Sequence, residues 1–230
     1  MVALSEFISK VSFNTIDPQS SVRNRNIDEI AETRLPEHSE AIIEDIEPLL
    51  SMRKMSSFAV AAMIWKAVRE MPDDQVFLNI GVYYGFTFFA GCRASKQKTS
   101  IAVDDYSGWG GAEPFFVDSM DKEDLPNGFF FKEDFETFFK SRMPKFKEKI
   151  GVYFYDADHK TGPTVKALRM AEPFMAKNCV VFLDDINLSG VRKASDMYFD
   201  DRWKQLLHVR TIRNGHPTFW NGLSIWRKEK

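Results

Sequence analysis

A largely apolar run of strand length, Val76-Phe77-Leu78-Asn79-Ile80, ends abruptly in Gly81-Val82-Tyr83-Tyr84-Gly85-Phe86-Thr87. Such a run, bounded by turn residues, suits a strand buried on both faces, as in the centre of a parallel sheet. Glycine after it lets the backbone take positive φ and approach a ligand closely. Taken alone, two glycines four residues apart fit an ordinary strand-to-helix turn better than a nucleotide loop. The dinucleotide spacing Gly-x-Gly-x-x-Gly is absent.

That stretch gains its weight from the rest of the chain. Strand-like runs recur at Thr99 to Val103, Gly128 to Lys132, Val152 to Tyr155 and Cys179 to Leu183. Helical stretches stand between several of them, at Phe86 to Cys92, Phe135 to Arg142 and Pro163 to Met175. Strands alternating with helices predict an α/β fold, a doubly wound parallel sheet with helices on both faces. The tail breaks the rhythm: Leu206 to Ile212 and Leu223 to Trp226 are separated by Asn214-Gly215-His216-Pro217 and no helix. A turn of that kind joins antiparallel strands, so one edge of the sheet should be antiparallel.

The expected division is an N-terminal arm with helices over residues 1–55, capping the substrate side, and a core over 56–230. Within the first part, residues 1–27 read as a loop or loosely attached arm. Ile27 to Leu35 and Glu40 to Leu50 then carry apolar residues at helical spacing, and Ser56 and Ser57 are placed to cap a helix from Phe58 to Arg69.

The chain of 230 residues carries a formal net charge of −2, which gives no general attraction to phosphate backbones or anionic membranes. Nucleic acid and membrane are therefore not expected partners. Charge is uneven, acidic over residues 1–50 and basic over 191–230; the basic tail suits an anionic ligand but is more simply a solvated surface. The two cysteines, Cys92 and Cys179, lack metal-ligand spacing and sit in apolar stretches, as free thiols do in a reducing compartment. With no long apolar segment or basic leader, the expected location is cytoplasmic.

In an open α/β sheet, ligands bind outside the carboxyl ends of the strands. Those ends are here Gly81 to Gly85, Asp104-Asp105, Glu133-Asp134, Asp156-Ala157-Asp158-His159 and Asp184-Asp185. Any one carboxylate fits a helix N-cap, but acid at four of five strand ends points to a site. Asp156, Asp184 and Asp185 converge if their strands are neighbours, and three close carboxylates repel unless a cation or a shared proton relieves them. Hard oxygen donors of this type suit Mg²⁺ or Mn²⁺. His159 brings to the same place a side chain matched to proton transfer near neutral pH. His38, His208 and His216 lack such company and read as structural.

This order of loop and acids resembles the class I S-adenosylmethionine-dependent methyltransferases, a Rossmann-like fold of about seven strands. The resemblance covers roughly residues 56–228. It is strongest in Tyr153-Phe154-Tyr155-Asp156-Ala157-Asp158-His159 and in Val181-Phe182-Leu183-Asp184-Asp185-Ile186-Asn187 with Val191-Arg192 after it, a pattern similar to metal-dependent sugar O-methyltransferases. It implies a seventh strand inserted antiparallel beside the sixth. It also implies S-adenosylmethionine as cofactor, with Asn79, Gly81, Tyr83 and Gly85 at its methionine end, Asp104 and Asp105 at its ribose, Asp134 and Phe135 at its adenine, and Asp156 in contact. By the same resemblance Asp156, Asp184 and Asp185 hold a magnesium or manganese ion, while His159, assisted by Asp156 and Asp185, serves catalysis as base. Two residues depart from the pattern: Asn79 where an acid is usual, and Tyr83 where glycine is common.

The implied activity is O-methylation of a small polar acceptor such as a sugar. Tyr106 and Trp109 suit stacking on a sugar face, or equally packing beneath a loop. Two other readings stand beside it. One is a binding protein that keeps the fold without catalysis, for which Asn79 speaks; the other is a nicotinamide-dependent oxidoreductase, against which the glycine spacing speaks. Exposed tryptophans in the tail, Trp220 and Trp226, would mark a homo-oligomer interface.

Overall fold

The computed structural model describes residues 3–22, 26–212 and 215–229. The chain begins with helix α1 (Leu4–Lys10), strand β1 (Ser12–Phe13), the short helix α2 (Glu29–Glu32), strand β2 (Thr33–Arg34), helix α3 (Glu40–Ile46) and helix α4 (Phe58–Glu70). The core continues with β3 (Gln75–Ile80), α5 (Phe86–Ala94), β4 (Ser100–Val103), α6 (Glu113–Glu123), β5 (Gly128–Phe131) and α7 (Phe135–Ser141). After them come β6 (Lys149–Tyr155), α8 (Thr161–Ala171), β7 (Met175–Asp184), α9 (Ser189–Tyr198), β8 (Trp203–Val209) and β9 (Leu223–Lys228).

Seven strands form one sheet in the order β5-β4-β3-β6-β7-β9-β8. The first five are parallel, and β9 runs antiparallel between β7 and β8, as expected for the tail. The chain leaves β3 toward β4 and β5, then returns to place β6 on the other side. The crevice of this switch lies between the carboxyl ends of β3 and β6. Alternation divides the strands between two cores. Phe77, Phe154 and Phe182 face α4 and α5, whereas Leu78, Tyr153, Tyr155, Val181 and Leu183 face the side of α7, α8 and α9.

Helix α4 is buried nearly all round because it lies between the sheet and the N-terminal helices. Ser57 caps it, accepting from the Val60 amide at 3.4 Å while its hydroxyl donates to the Thr218 carbonyl. The expectation of a loose N-terminal arm fails: Leu4, Phe7 and Ile8 of α1 are buried against this core, and the Leu4 amide donates to Glu70 Oε2 at 2.9 Å. Helical spacing over Ile27 to Leu35 also overreaches. After α2 the chain extends, and β2 pairs with β1. Glu32 accepts from the backbone amides of Thr15 and Ile16, and Glu29 accepts from the Phe58 amide at the start of α4. These contacts tie Thr15, Ile16 and α2 to the core.

Among other differences, the segment after Gly111 becomes α6 and the segment after Asn187 becomes α9, neither of which polar composition revealed. In the turn expected before β9, Asn214 lies outside the described residues; Gly215 has φ +71 and His216 pairs with Trp220. Trp226 is not exposed but stacks on Phe199, with centroids 4.5 Å apart. Trp220 is half-buried.

Candidate active site

The loop after β3 is shaped by the absence of a side chain at Gly81. Its φ is +80, and a Cβ there would stand 1.8 Å from the Asp156 carbonyl oxygen. The closeness follows from the parallel pairing, which continues past the strand as the Asp156 amide donates to the Ile80 carbonyl at 2.9 Å. Gly85, at φ +98, starts α5 where a Cβ would meet the rings of Phe89 and Phe116. Asn79 is fully buried: its Nδ2 donates to the Gly81 carbonyl at 2.8 Å and its Oδ1 accepts from the Thr87 hydroxyl at 3.1 Å.

Asp104, at the end of β4, reaches into the same loop. Its Oδ2 accepts from the amides of Val82 (2.8 Å) and Tyr83 (3.1 Å), and its Oδ1 from that of Tyr106 (2.8 Å). The Tyr106 hydroxyl donates to the Tyr83 carbonyl at 3.0 Å. Asp105 is exposed and accepts from the Ser107 amide. Asp134 caps α7, accepting from the amide and hydroxyl of Thr137, which hold its carboxyl below the usual range. Phe135 packs edge-on against Tyr155. Left-handed backbone at residues other than glycine is uncommon and gathers at functional sites. Three such residues line this crevice: Tyr83, Tyr106 and Asp185, with φ of +52, +54 and +58.

Across the crevice, the ends of β6 and β7 bring two carboxylates to one imidazole. His159 Nε2 lies 2.7 Å from Asp185 Oδ2 and 3.6 Å from Asp156 Oδ1. One donor atom from each of Asp156, His159 and Asp185 falls within 4.8 Å of the others, the one such group among the described residues. Asp184 stands behind them, only 3% exposed, with its Oδ1 accepting from the Asp185 amide. Burial, reinforced by Asp156 and Asp185, pushes its pKa well up. Burial also raises Asp156, to about 6. Hydrogen bonding to Asp156 first, then to Asp185, raises His159 to about 10.

Of the residues expected at one crevice, Asp156, His159 and Asp185 come together, while Asp134 serves as the cap of α7. The sequence did not reveal how many of them the protein uses on itself. The carboxylate of Asp104 is occupied by backbone amides, and that of Asp158 by the Lys160 amide at 2.7 Å. Thr87 and Tyr106, which hold Asn79 and Tyr83, were not singled out for those tasks; the eight-residue step from Asn79 to Thr87 around a glycine turn was the available sign.

Residues 78–186 match the model of a methyltransferase domain. The matched stretch runs from within β3 to just past the end of β7. No curated protein sequence matches the chain. Solved structures do. An O-methyltransferase from Bacillus cereus in complex with SAH superposes with a TM-score of 0.60 at 11% identity, covering 84% of this chain and 92% of that one. TomG, an O-methyltransferase from Streptomyces achromogenes involved in tomaymycin synthesis and solved with SAM, gives 0.61 at 11% identity with the same coverage. CalS11, a TDP-rhamnose 3′-O-methyltransferase of calicheamicin biosynthesis, gives 0.56 at 15% identity, covering 84% and 94%. At such identities the likeness concerns the fold, the seven-stranded sheet described above. No helix among the described residues is long and apolar enough to cross a membrane.

Proposed function

We propose that the protein is an S-adenosylmethionine-dependent O-methyltransferase acting on a small hydroxylated acceptor such as a sugar. The observation that carries this is the meeting of Asp156, His159 and Asp185 at the strand ends facing the glycine loop of a methyltransferase domain. S-adenosylmethionine would supply a methyl group carried on a cationic sulfur.

In this reading Gly81, Tyr83 and Gly85 form the floor under the cofactor, and Asp105, whose exposed carboxylate gives Oδ1 to the Ser107 amide, would accept from ribose hydroxyls through Oδ2. Asp104 acts by fixing the loop. Asn79 does the same from beneath it, since a fully buried amide already bonded on both sides presents nothing to a ligand. Asp134 and Phe135 stand where the adenine would lie. Holding donor and acceptor in line is the larger part of what such a displacement asks of a protein.

Two carboxylates and one imidazole within 4.8 Å suit a hard divalent cation such as Mg²⁺ or Mn²⁺. Asp156 and Asp185 would hold it, with buried Asp184 fixing the turn behind them. Such an ion would lower the pKa of a bound hydroxyl. His159 bears on the same point, because both carboxylates hold its pKa above the usual value. With those carboxylates engaged by a cation, the imidazole would be available as a base toward an acceptor hydroxyl.

The alternative is a protein that keeps the fold without turnover, favoured by Asn79 in a position that resembles the acidic one of active relatives. Calorimetry with S-adenosylhomocysteine, followed by radiolabelled methyl transfer to a panel of nucleotide sugars with and without Mg²⁺, separates the two. His159→Ala and Asp185→Asn should abolish transfer while cofactor affinity stays within about threefold of wild type, below 1 kcal/mol. Failure of the folded protein to bind the cofactor product would end the proposal. Binding without transfer to any acceptor would favour the alternative.

A further inference from the structure

Trp109 is a large aromatic side chain left 56% exposed beside the glycine loop. Its ring stands edge-on over Tyr83, with centroids 5.4 Å apart at 75°, so that one indole face is open. Tyr83 is itself fixed, its amide donating to Asp104 and its carbonyl accepting from the Tyr106 hydroxyl. The tryptophan comes shortly after Asp104-Asp105 in the chain and belongs to the β4 side of the crevice, away from His159 and Asp185 on the β6–β7 side.

The segment that carries it is Ser107-Gly108-Trp109-Gly110-Gly111, and its glycines are not needed where they stand. A Cβ on Gly108 or Gly111 would meet nothing within 4 Å, and on Gly110 only the Tyr106 carbonyl at 3.6 Å. None of the three has positive φ. Neither a tight approach nor a left-handed backbone requires them, and what remains is the freedom glycine gives the chain. The two ends of the segment are firm. Tyr106 is 4% exposed and bonded to Asp104 and Tyr83, while Ala112 and Phe116 are buried, with Phe116 among the rings of Phe88, Phe89 and Phe130. Between those ends only turn bonds hold the segment, the Trp109 amide donating to the Tyr106 carbonyl at 3.2 Å and its carbonyl accepting from the Ala112 amide at 2.8 Å. A glycine-rich turn between fixed ends, carrying one exposed flat ring above a fixed one, is built to close on something flat.

We infer that Trp109 is a cofactor-binding residue, a flap whose indole closes over the nucleoside portion of the bound cofactor, with residues 107–111 as its hinge. A nucleoside is uncharged, has flat π-faces and offers hydroxyls. Those are the features that an open indole and the exposed carboxylate of Asp105 recognise together. The inference rests on the proposed use of S-adenosylmethionine and goes beyond it in naming the residue that retains it. The acidic half of the crevice stays open to the acceptor.

The test uses S-adenosylhomocysteine and the whole protein. Acrylamide quenching of tryptophan fluorescence is compared in wild type and Trp109→Phe, the difference isolating Trp109 from the other four tryptophans. Bound ligand should abolish the quenchable component due to Trp109. Calorimetry should show Trp109→Ala weakened by about tenfold or more, Trp109→Phe nearly unchanged because the stack survives, and Gly108→Ala with Gly111→Ala slowed in association. Circular dichroism confirms folding in each case. Ligand binding to wild type with Trp109 still fully quenchable, or with equal affinity in Trp109→Ala, would overturn the flap and leave the methyltransferase reading standing. Protection of Trp109 by a nucleotide-sugar acceptor but not by S-adenosylhomocysteine would assign the ring to the acceptor instead and equally overturn it. Absence of binding to the folded wild-type protein would overturn both.

Discussion

Gly81 and Asp156 meet so closely that a single methyl group at Gly81 would overlap the Asp156 carbonyl oxygen, 1.8 Å away. The contact joins the glycine-loop half of the crevice to the half that holds His159. Alanine here suffers twice. The left-handed backbone at φ +80 costs an L-residue about 1–2 kcal/mol, and forcing strand ends apart costs a further ~1–3 kcal/mol. Gly81→Ala should therefore lower the urea unfolding free energy by roughly 2–5 kcal/mol and displace Asp156. An unchanged urea midpoint would show that the loop relaxes freely and does not register the two halves.

Asn79 gives a sharper test of the same loop. The amide Nδ2 is the group that satisfies the Gly81 carbonyl, and aspartate has no donor to replace it. Asn79→Asp also places a charge where nothing is exposed. Without ligand the variant should lose about 2–4 kcal/mol, the cost of an unpaired carbonyl and a buried carboxylate. If the position then reaches the cofactor's ammonium, S-adenosylhomocysteine should raise its melting temperature by more than it raises that of wild type. Equal stability of the two proteins would mean the Asn79–Gly81 bond does not hold the loop.

Phe7 sits 1% exposed in the core formed with α4, and Leu4 and Ile8 flank it. Removing a buried phenyl ring costs about 3–5 kcal/mol. Phe7→Ala should show a loss of that size in chemical denaturation, with one cooperative transition shared by far-ultraviolet circular dichroism and tryptophan fluorescence. A loss under about 1 kcal/mol would restore the picture of a dispensable arm.

The core was legible because its strands are buried on both faces and must therefore be written as unbroken apolar runs. Val76 to Ile80 could hardly be anything else, and the acids at the strand ends fall where a parallel sheet puts its ligand crevice. The N-terminal segment was not legible because its stability comes from single long-range contacts. Glu29 reaches the Phe58 amide and Glu32 the amides of Thr15 and Ile16, and neither leaves a periodic trace. Helices α6 and α9 were hidden for a related reason: their outward faces are polar, and glycine-rich or short polar stretches precede them. In the site, residue types were readable and their allegiances were not. Asp104 looked like a ligand for ribose, yet three backbone amides claim it, and only the left-handed turns at Tyr83 and Tyr106 bring those amides to it.

His216 ties the loop before β9 to the N-terminal segment and should make stability depend on pH. It is fully buried; Nε2 stands 3.2 Å from the Ser20 carbonyl, and Nδ1 lies 2.9 Å from the Thr218 hydroxyl and 3.3 Å from the Thr218 amide. A carbonyl only accepts, so the neutral ring carries its proton on Nε2 and leaves Nδ1 to accept from the amide. Burial holds the pKa below its usual 6.5, with the Ser20 carbonyl and Asp17 acting weakly the other way. A pKa lower in the folded than in the unfolded chain means that stability from this group is fully present above 6.5 and is lost as pH falls through the folded value. Protonation would aim a second N–H at the Thr218 amide, and Thr218 in turn receives the Ser57 hydroxyl at the start of α4. Melting temperatures recorded from neutral pH downward should fall more steeply for wild type than for His216→Gln once pH drops below 6.5. The glutamine variant should start lower, having lost part of the pairing, and the two curves should converge in acid. Parallel curves would remove His216 from this role and leave the acid sensitivity to other groups such as His208, whose pKa burial also depresses.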